Sequence, residues 1–429
     1  MQPTSLGVTV SARGAAAARQ PAHPAPPLTL AADSRSVRPH PREVTLGIFS
    51  FVAGIVIGWL ANIVFKEWGF ENSVASRVRR WRPRKGALGY VKANLHLCVG
   101  DLEVPDWELL DGFSPNGVQM NARVIEQTEV VLPDDLTAIR RREEATAEER
   151  RRAGLPAPYN GRRYALVGCG FHRSPDEFET NVCMLRLKYS DYMSFLATSG
   201  NLDTPIPGDG RTVRQKYYAN IEPTRIPADF LFHSFGVNLA VITKDERVIV
   251  VKRGQNVDML PSVLNSSVDE GLSRDLDRDL DRSVSIRGAC LRGLWEELGV
   301  EESGVEDLQL TSVGYSRSWC QYGALGHARL NVPFKEVAAS MCSAKDASFE
   351  IGKTDADIES ISGPKYSVYA VRFTPHDFAT FVQERRGPFT SWGLSCFVTA
   401  LLACDDWNKS EVRQAFSGSR WTNLEGIVV

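Results

Sequence analysis

No C-x-x-C pair occurs among the eight cysteines of this 429-residue chain, at positions 98, 169, 183, 290, 320, 342, 396 and 404. The paired-thiol spacing of zinc ribbons and redox motifs is therefore absent. Most of the eight lie in apolar runs, as buried reduced thiols do, and this points to a reducing, cytosolic compartment for the bulk of the chain. An excess of one charge is missing too. Fifty Lys and Arg stand against 52 Asp and Glu, a net charge of −2, which gives no strong case for polymeric nucleic acid or for an acidic partner. Residues 1–43 have only Asp33 and Glu43 as acids and are rich in Ala, Pro, Arg and Ser. Such a stretch cannot bury enough apolar surface to offset its ordering entropy and reads as a disordered tail. An organelle transit peptide shares that Arg-rich, acid-poor composition.

Residues 44–65 (VTLGIFSFVAGIVIGWLANIVF) have no charge, and only Thr45, Ser50 and Asn62 are polar. At ~1.5 Å per residue this length spans a hydrocarbon core of ~30 Å, so a single N-terminal transmembrane helix is expected. Lys66, Arg77, Arg79, Arg80, Arg82, Arg84 and Lys85 crowd its C-terminal flank, against Arg35, Arg38 and Arg42 on the other side. That excess puts the C-terminal domains in the cytoplasm and makes residues 66–86 a basic juxtamembrane segment beside the lipid bilayer. Gly54 and Gly58 form a G-x-x-x-G that permits a homodimer through this helix.

Hydrophobic residues make up 43% and charged residues 24% of the chain, ordinary for globular domains, and the length accommodates two or three. Residues 87–231 read as an α+β domain with no assigned role. Strand-like runs fall at 94–98, 118–131 and 164–169, a charged helix at 134–153, and Pro-Gly clusters at 205–208 and 223–227 close the region. In residues 232–429, strands are expected at 235–242 and 247–251 as a hairpin, then at 308–315, 328–332 and 366–373. Helices are expected at 377–383 and 391–404. The segment 273–283 (SRDLDRDLDRS) resembles a calcium loop through Asp275, Asp277, Asp279 and Asp281. It lacks the Gly and Glu that close such a loop and reads as a solvated, partly helical insertion.

Residues 285–300 (SIRGACLRGLWEELGV) organise this half. Leu291, Leu294 and Leu298 recur at helical spacing, and Gly299 stands where a left-handed helix end is wanted. Glu296 and Glu297 are adjacent, three and four residues after position 293. Two carboxylates fixed on one helix are either a repulsion or half of a divalent-metal site.

RGLWEELGV resembles the end of the Nudix box, G-x5-E-x7-R-E-U-x-E-E-x-G-U with U aliphatic. Arg292, Leu294, Glu296, Glu297, Gly299 and Val300 match it. Gly293 stands where the family has a metal-binding Glu, and Val284 and Arg278 stand at its first Glu and first Gly. The likeness covers roughly residues 232–405. With NSSVDEGL upstream, it is similar in particular to the membrane-associated Nudix domains of bacterial nucleotide second-messenger (antiphage) systems. It implies a C-terminal Nudix-like α/β/α sandwich acting on nucleoside-diphosphate derivatives. Mg²⁺ or Mn²⁺ would be held by Glu296, Glu297 and Glu270, whose neighbour is Asp269. Arg292 would orient Glu296 across one turn, making Glu296, Glu297 and Arg292 the catalytic set. Lys252 and Arg253 are the candidate phosphate contacts, and His327 reads as a structural histidine.

A mid-helix Gly costs ~1 kcal/mol relative to Ala. Either the Gly293 backbone approaches something closely or a catalytic Glu has been lost without consequence. The second is the simpler expectation, and Gly293→Glu would then raise activity. Two functions stay open: a membrane-anchored sensor or effector that binds a nucleotide or oligonucleotide signal, and a membrane-tethered, Mg-dependent Nudix hydrolase. For the topology, a reporter active only outside the cytoplasm should be silent when fused after Val429, and strong activity would refute it.

Overall fold

In the computed structural model the strand Phe235–Ile242 is buried on both faces, and each face belongs to a different core. The described residues are 96–155, 157–174, 181–254, 257, 260–278, 280–341, 343–345, 368–384, 387–421 and 428. In chain order the first half contains β1 (His96–Val99), β2 (Leu102–Leu109), β3 (Val118–Glu129), α1 (Asp134–Arg152), β4 (Arg162–Arg173), β5 (Asn181–Asp191) and α2 (Tyr192–Ala197). There follow β6 (Phe235–Ile242), β7 (Arg247–Lys252), β8 (Leu264–Asn265), β9 (Val268–Gly271), β10 (Ser283–Val284) and α3 (Ile286–Leu298). The chain continues through β11 (Val305–Ser316), β12 (Gln321–Leu330), α4 (Phe334–Met341), β13 (Val368–Arg372), α5 (Pro375–Gln383), α6 (Ser391–Ala403) and α7 (Lys409–Ala415).

The larger sheet has the order β1-β2-β11-β12-β6-β7-β13, with β8 beside β7 and β9 beside β6. Within it β12 and β6 run parallel, Tyr322 opposite Phe235 and Gly323 opposite Gly236. The smaller sheet has the order β10-β3-β5-β4, with β3 and β5 parallel. The fold is α+β, as expected.

Strand side chains alternate between faces. Phe235, Val237, Leu239 and Val241 of β6 enter one core together with Ile286, Ala289, Cys290, Leu294 and Leu298 of α3. Ala240 and Ile242 enter the other core, with Leu394, Phe397 and Leu401 of α6. The smaller sheet adds Ala122, Val124, Tyr164, Leu166, Leu185 and Leu187 to the α3 side. Residues from both sides of position 232 thus share one core, and β2 extends the larger sheet by pairing with β11, Leu109 opposite Gly314. Residues Ala75–Val429 form one compact unit.

The hairpin of β6 and β7 and the helices α1, α3, α5 and α6 fall where their sequences put them. β12 starts earlier than expected, at Gln321, because it pairs with β11 along its length, from Ser316–Gln321 to Val305–Leu330. The insertion is not simply solvated. Asp277 is 2% exposed, because it is drawn in by an arginine of α3. The expected span 44–65, with Gly54 and Gly58, lies outside the described residues, as do the tail 1–43 and the segment 66–86. Among the described residues no helix is long and apolar enough to cross a membrane. Of the seven described cysteines, all free, Cys183, Cys290, Cys320, Cys396 and Cys404 are buried and Cys98 is exposed.

Candidate functional site

Helix α3 is fixed at both ends by its own sequence. The Ser285 side chain accepts the Gly288 N–H at 2.9 Å, and Gly299 ends the helix at φ 67°, a left-handed conformation that glycine adopts without a Cβ penalty. Between these caps, Arg292 gathers three carboxylates. Its Nε donates to Asp277 Oδ1 at 3.0 Å and its Nη2 to Asp277 Oδ2 at 2.9 Å. Nη1 lies 2.9 Å from Glu270 Oε2 and 3.2 Å from Glu296 Oε2, and Nη2 also donates to the Gly271 carbonyl at 2.8 Å. Burial works against the charge of Arg292, but Asp277 and Glu270 hold the guanidinium above its ordinary value. Burial likewise pushes the Glu270 carboxyl up to about 7, against the pull of Arg292 and with the repulsion of Glu296.

These contacts decide whether a divalent cation fits. Glu296 Oε1 receives Lys345 Nζ at 2.5 Å, Glu270 Oε1 accepts the Gly271 N–H at 2.9 Å, and Glu297 Oε1 accepts the Asp269 N–H at 3.1 Å. A hard cation needs carboxylate oxygens turned toward it. Here both oxygens of Glu270 and of Glu296 are turned onto protein donors. Among the described residues no group of three or more His, Cys, Asp or Glu side chains is arranged to hold a metal ion. As arranged, the expected ligand set Glu270, Glu296 and Glu297 does not fit Mg²⁺ or Mn²⁺.

Gly293 has a packing reason. A Cβ there would lie 2.5 Å from Val268 Cγ1 and 3.0 Å from Glu270 Cβ. The helix backbone approaches β9 too closely for any side chain. Of the two explanations weighed above, close approach is the one the structure shows, and a Glu at this position would collide with the strand.

A concave space lies across β9. Val268 and Glu270 face α3, so Asp269 faces the α6 side, where a cavity of about 180 Å³ opens. Trp107, Tyr192, Phe195, Tyr322 and Trp392 form its aromatic walls, with Arg163, Arg253, Asp269 and Asn238 among its polar groups. Neither Arg292 nor Glu270, Glu296 or Glu297 lines it. Arg253 does, with its Nη1 2.6 Å from Asp269 Oδ2, which also accepts Asn265 Nδ2 at 2.9 Å. Lys252, the other expected phosphate contact, ends β7 half-buried and is not part of the lining. His327 is buried in β12, away from the cavity.

Arg163 was missed by sequence reasoning. It donates to Ser234 Oγ at 3.2 Å and lies over the rings of Tyr192 and Phe195, 4.5 and 5.9 Å from their centroids. Among the described residues it forms no ion pair. Residues 87–231 contribute it, along with Tyr192, Phe195 and Trp107. The only signal was an Arg162-Arg163 doublet opening a strand-like run, and nothing in its spacing tied it to the second half.

No family model and no curated protein matches the chain. Among solved structures, a crystal structure of DR0079 from Deinococcus radiodurans aligns at 15% identity over 29% of this chain and 80% of that one. Its TM-score of 0.18 is too low to support any argument.

Two predictions follow from the Arg292 cluster and its helix. The Glu270 carboxyl is raised in the folded state, so its contribution to stability is complete below the ordinary value near 4.5 and is lost as pH rises through about 7. At ~1.4 kcal/mol per unit, that is at most about 3.5 kcal/mol. Urea unfolding should find Glu270→Gln gaining on the native protein between pH 5 and pH 8, and parallel pH dependences would contradict this. Gly293→Ala should lower stability by about 1–3 kcal/mol despite better helix propensity. Adding Val268→Ala should recover part of the loss, a coupling readable in a double-mutant cycle.

Proposed function

We propose that residues 232–429 are Nudix-like and that the protein is a membrane-anchored binder of a nucleotide, serving as sensor or effector from the cytoplasmic side. What carries this reading is the cavity between β6, β9 and β12. It combines one guanidinium with no ion pair among the described residues and a set of aromatic walls. Phosphate oxygens suit the planar fork of Arg163. Stacking on rings such as Tyr192 or Trp392 contributes about 1–3 kcal/mol per base whatever its identity. About 180 Å³ takes one end of a nucleoside-diphosphate derivative or oligonucleotide signal, with the rest outside.

Support for the Nudix-like part comes from the order of elements. A strand pair is followed by an edge strand, the capped helix with Glu296 and Glu297, and a helix on the opposite face of the sheet. Binding is favoured over hydrolysis because Arg292 and Lys345 occupy the carboxylates that a metal would need. A sensor must bind its ligand unequally in two states, since equal affinity shifts neither.

The test uses the full-length chain with chelator present. Calorimetry against nucleoside diphosphates and against cyclic and linear oligonucleotides should find a ligand that binds without metal. A Cβ at Gly236 would meet nothing closer than 3.7 Å, so this position opens onto the cavity. Gly236→Leu should therefore abolish binding while the protein stays folded. If no member of the panel binds below roughly millimolar, about −4 kcal/mol, the reading fails.

A further inference from the structure

Arg162 and Arg163 are adjacent on β4 and leave the strand on opposite faces. Arg163 enters the aromatic cleft, whereas Arg162 lines a separate cavity of about 200 Å³. The rest of that lining is Tyr164, Tyr189, Arg274, Asp275 and Arg278. β4 is an edge strand of the smaller sheet, and the insertion docks along it. The Arg274 N–H donates to the Arg162 carbonyl at 3.1 Å, and Ser273 forms an antiparallel bridge with Arg163.

The arginines are held in place before any ligand arrives. Arg274 lies over Tyr189, 3.8 Å from the ring centroid, pairs with Glu129 at 2.5 Å and is only 13% exposed. Arg162 is held by Asp275, with Nε 3.2 Å from Oδ2. Arg278 forms no ion pair among the described residues. Among the described residues, three guanidinium groups thus face two carboxylates, Asp275 and Glu129, one positive charge more than negative. No aliphatic side chain lines the space, and the Tyr189 ring is already covered by Arg274.

We propose that this cavity is a phosphoryl-anion site, distinct from the aromatic cleft, that takes inorganic phosphate, pyrophosphate or the phosphate end of a larger ligand. Planar guanidinium groups present paired N–H donors to tetrahedral oxyanions. The site also bears on α3. On the same insertion Asp277 turns the other way and clasps Arg292, so an anion that fastens Arg274 and Arg278 to β4 also holds Asp277 in place.

Calorimetry on the full-length protein at low ionic strength, with inorganic phosphate and then pyrophosphate, tests this. At least one should bind saturably. Arg278→Ala should weaken it about tenfold or more, since a charged hydrogen-bonding partner is lost, and Arg278 is exposed enough for the variant to fold. Asp275→Asn should tighten it by removing a repelling charge. Gly236→Leu should leave it unchanged, which separates this site from the cleft. Pyrophosphate binding more than tenfold tighter than phosphate supports a diphosphate ligand, and equal affinity supports a single phosphoryl group. Absence of saturable binding by both anions, an unaltered affinity in Arg278→Ala, or loss of binding in Gly236→Leu would overturn the proposal.

Discussion

The buried guanidinium of Arg292 is the interaction on which the arrangement around α3 depends. Asp277, Glu270 and Glu296 come from three separate segments, the insertion, β9 and the next turn of the helix. Each is costly to bury without a partner. One planar cation with its donors in a fixed fork satisfies all three at 2.9–3.2 Å. Removing it would leave three carboxylates facing one another. The clasp draws α3 flush against β9, and that closeness requires glycine at 293. With the helix so near, Glu297 reaches the Asp269 N–H on the outer side of β9, and the strand needs no further neighbour there. A strand held in this way turns Asp269 to the opposite face, where it fixes Arg253 in the aromatic cleft. A cluster on one side of the sheet thus sets the geometry of a cavity on the other.

The same contacts redistribute the chemistry. In the resemblance, the carboxylates of the helix neutralise a substrate's phosphate through a metal. Here a protein cation pairs with these carboxylates, and Arg163 and Arg253, the latter paired with Asp269, line a cavity across the sheet.

What the sequence disclosed and what it hid divide along physical lines. The strands β6 and β7 were legible because β-branched runs with a turn between them have few alternatives. The ends of α3 were legible from Ser285 and Gly299, since capping is local. Asp277 was hidden because a repeated Asp-Leu-Asp-Arg reads as solvated, whereas Arg292, fifteen residues on, and the Ser273 N–H hold this acid inside. Gly293 was misread because loss of a carboxylate and close approach of a strand leave the same residue behind. Arg163 was out of reach for a different reason. Its role depends on β4 packing beside β6, a long-range event that no local pattern encodes.

Two glycines show how the cleft itself is made. Gly236 and Gly323 lie opposite each other on the parallel pair β6 and β12, yet they have different causes. A Cβ at Gly323 would lie 3.1 Å from the Gly236 carbonyl oxygen and 3.4 Å from Trp107 Cη2, so packing already crowds that position. At Gly236 the nearest atom would be 3.7 Å away, ordinary contact distance, so a Cβ there meets no clash. Gly236 lines the cavity together with Arg163 and the aromatic residues, so the absence of a side chain at this one position of β6 sets how far the cavity reaches toward the strand, whereas at Gly323 the same absence is required by packing.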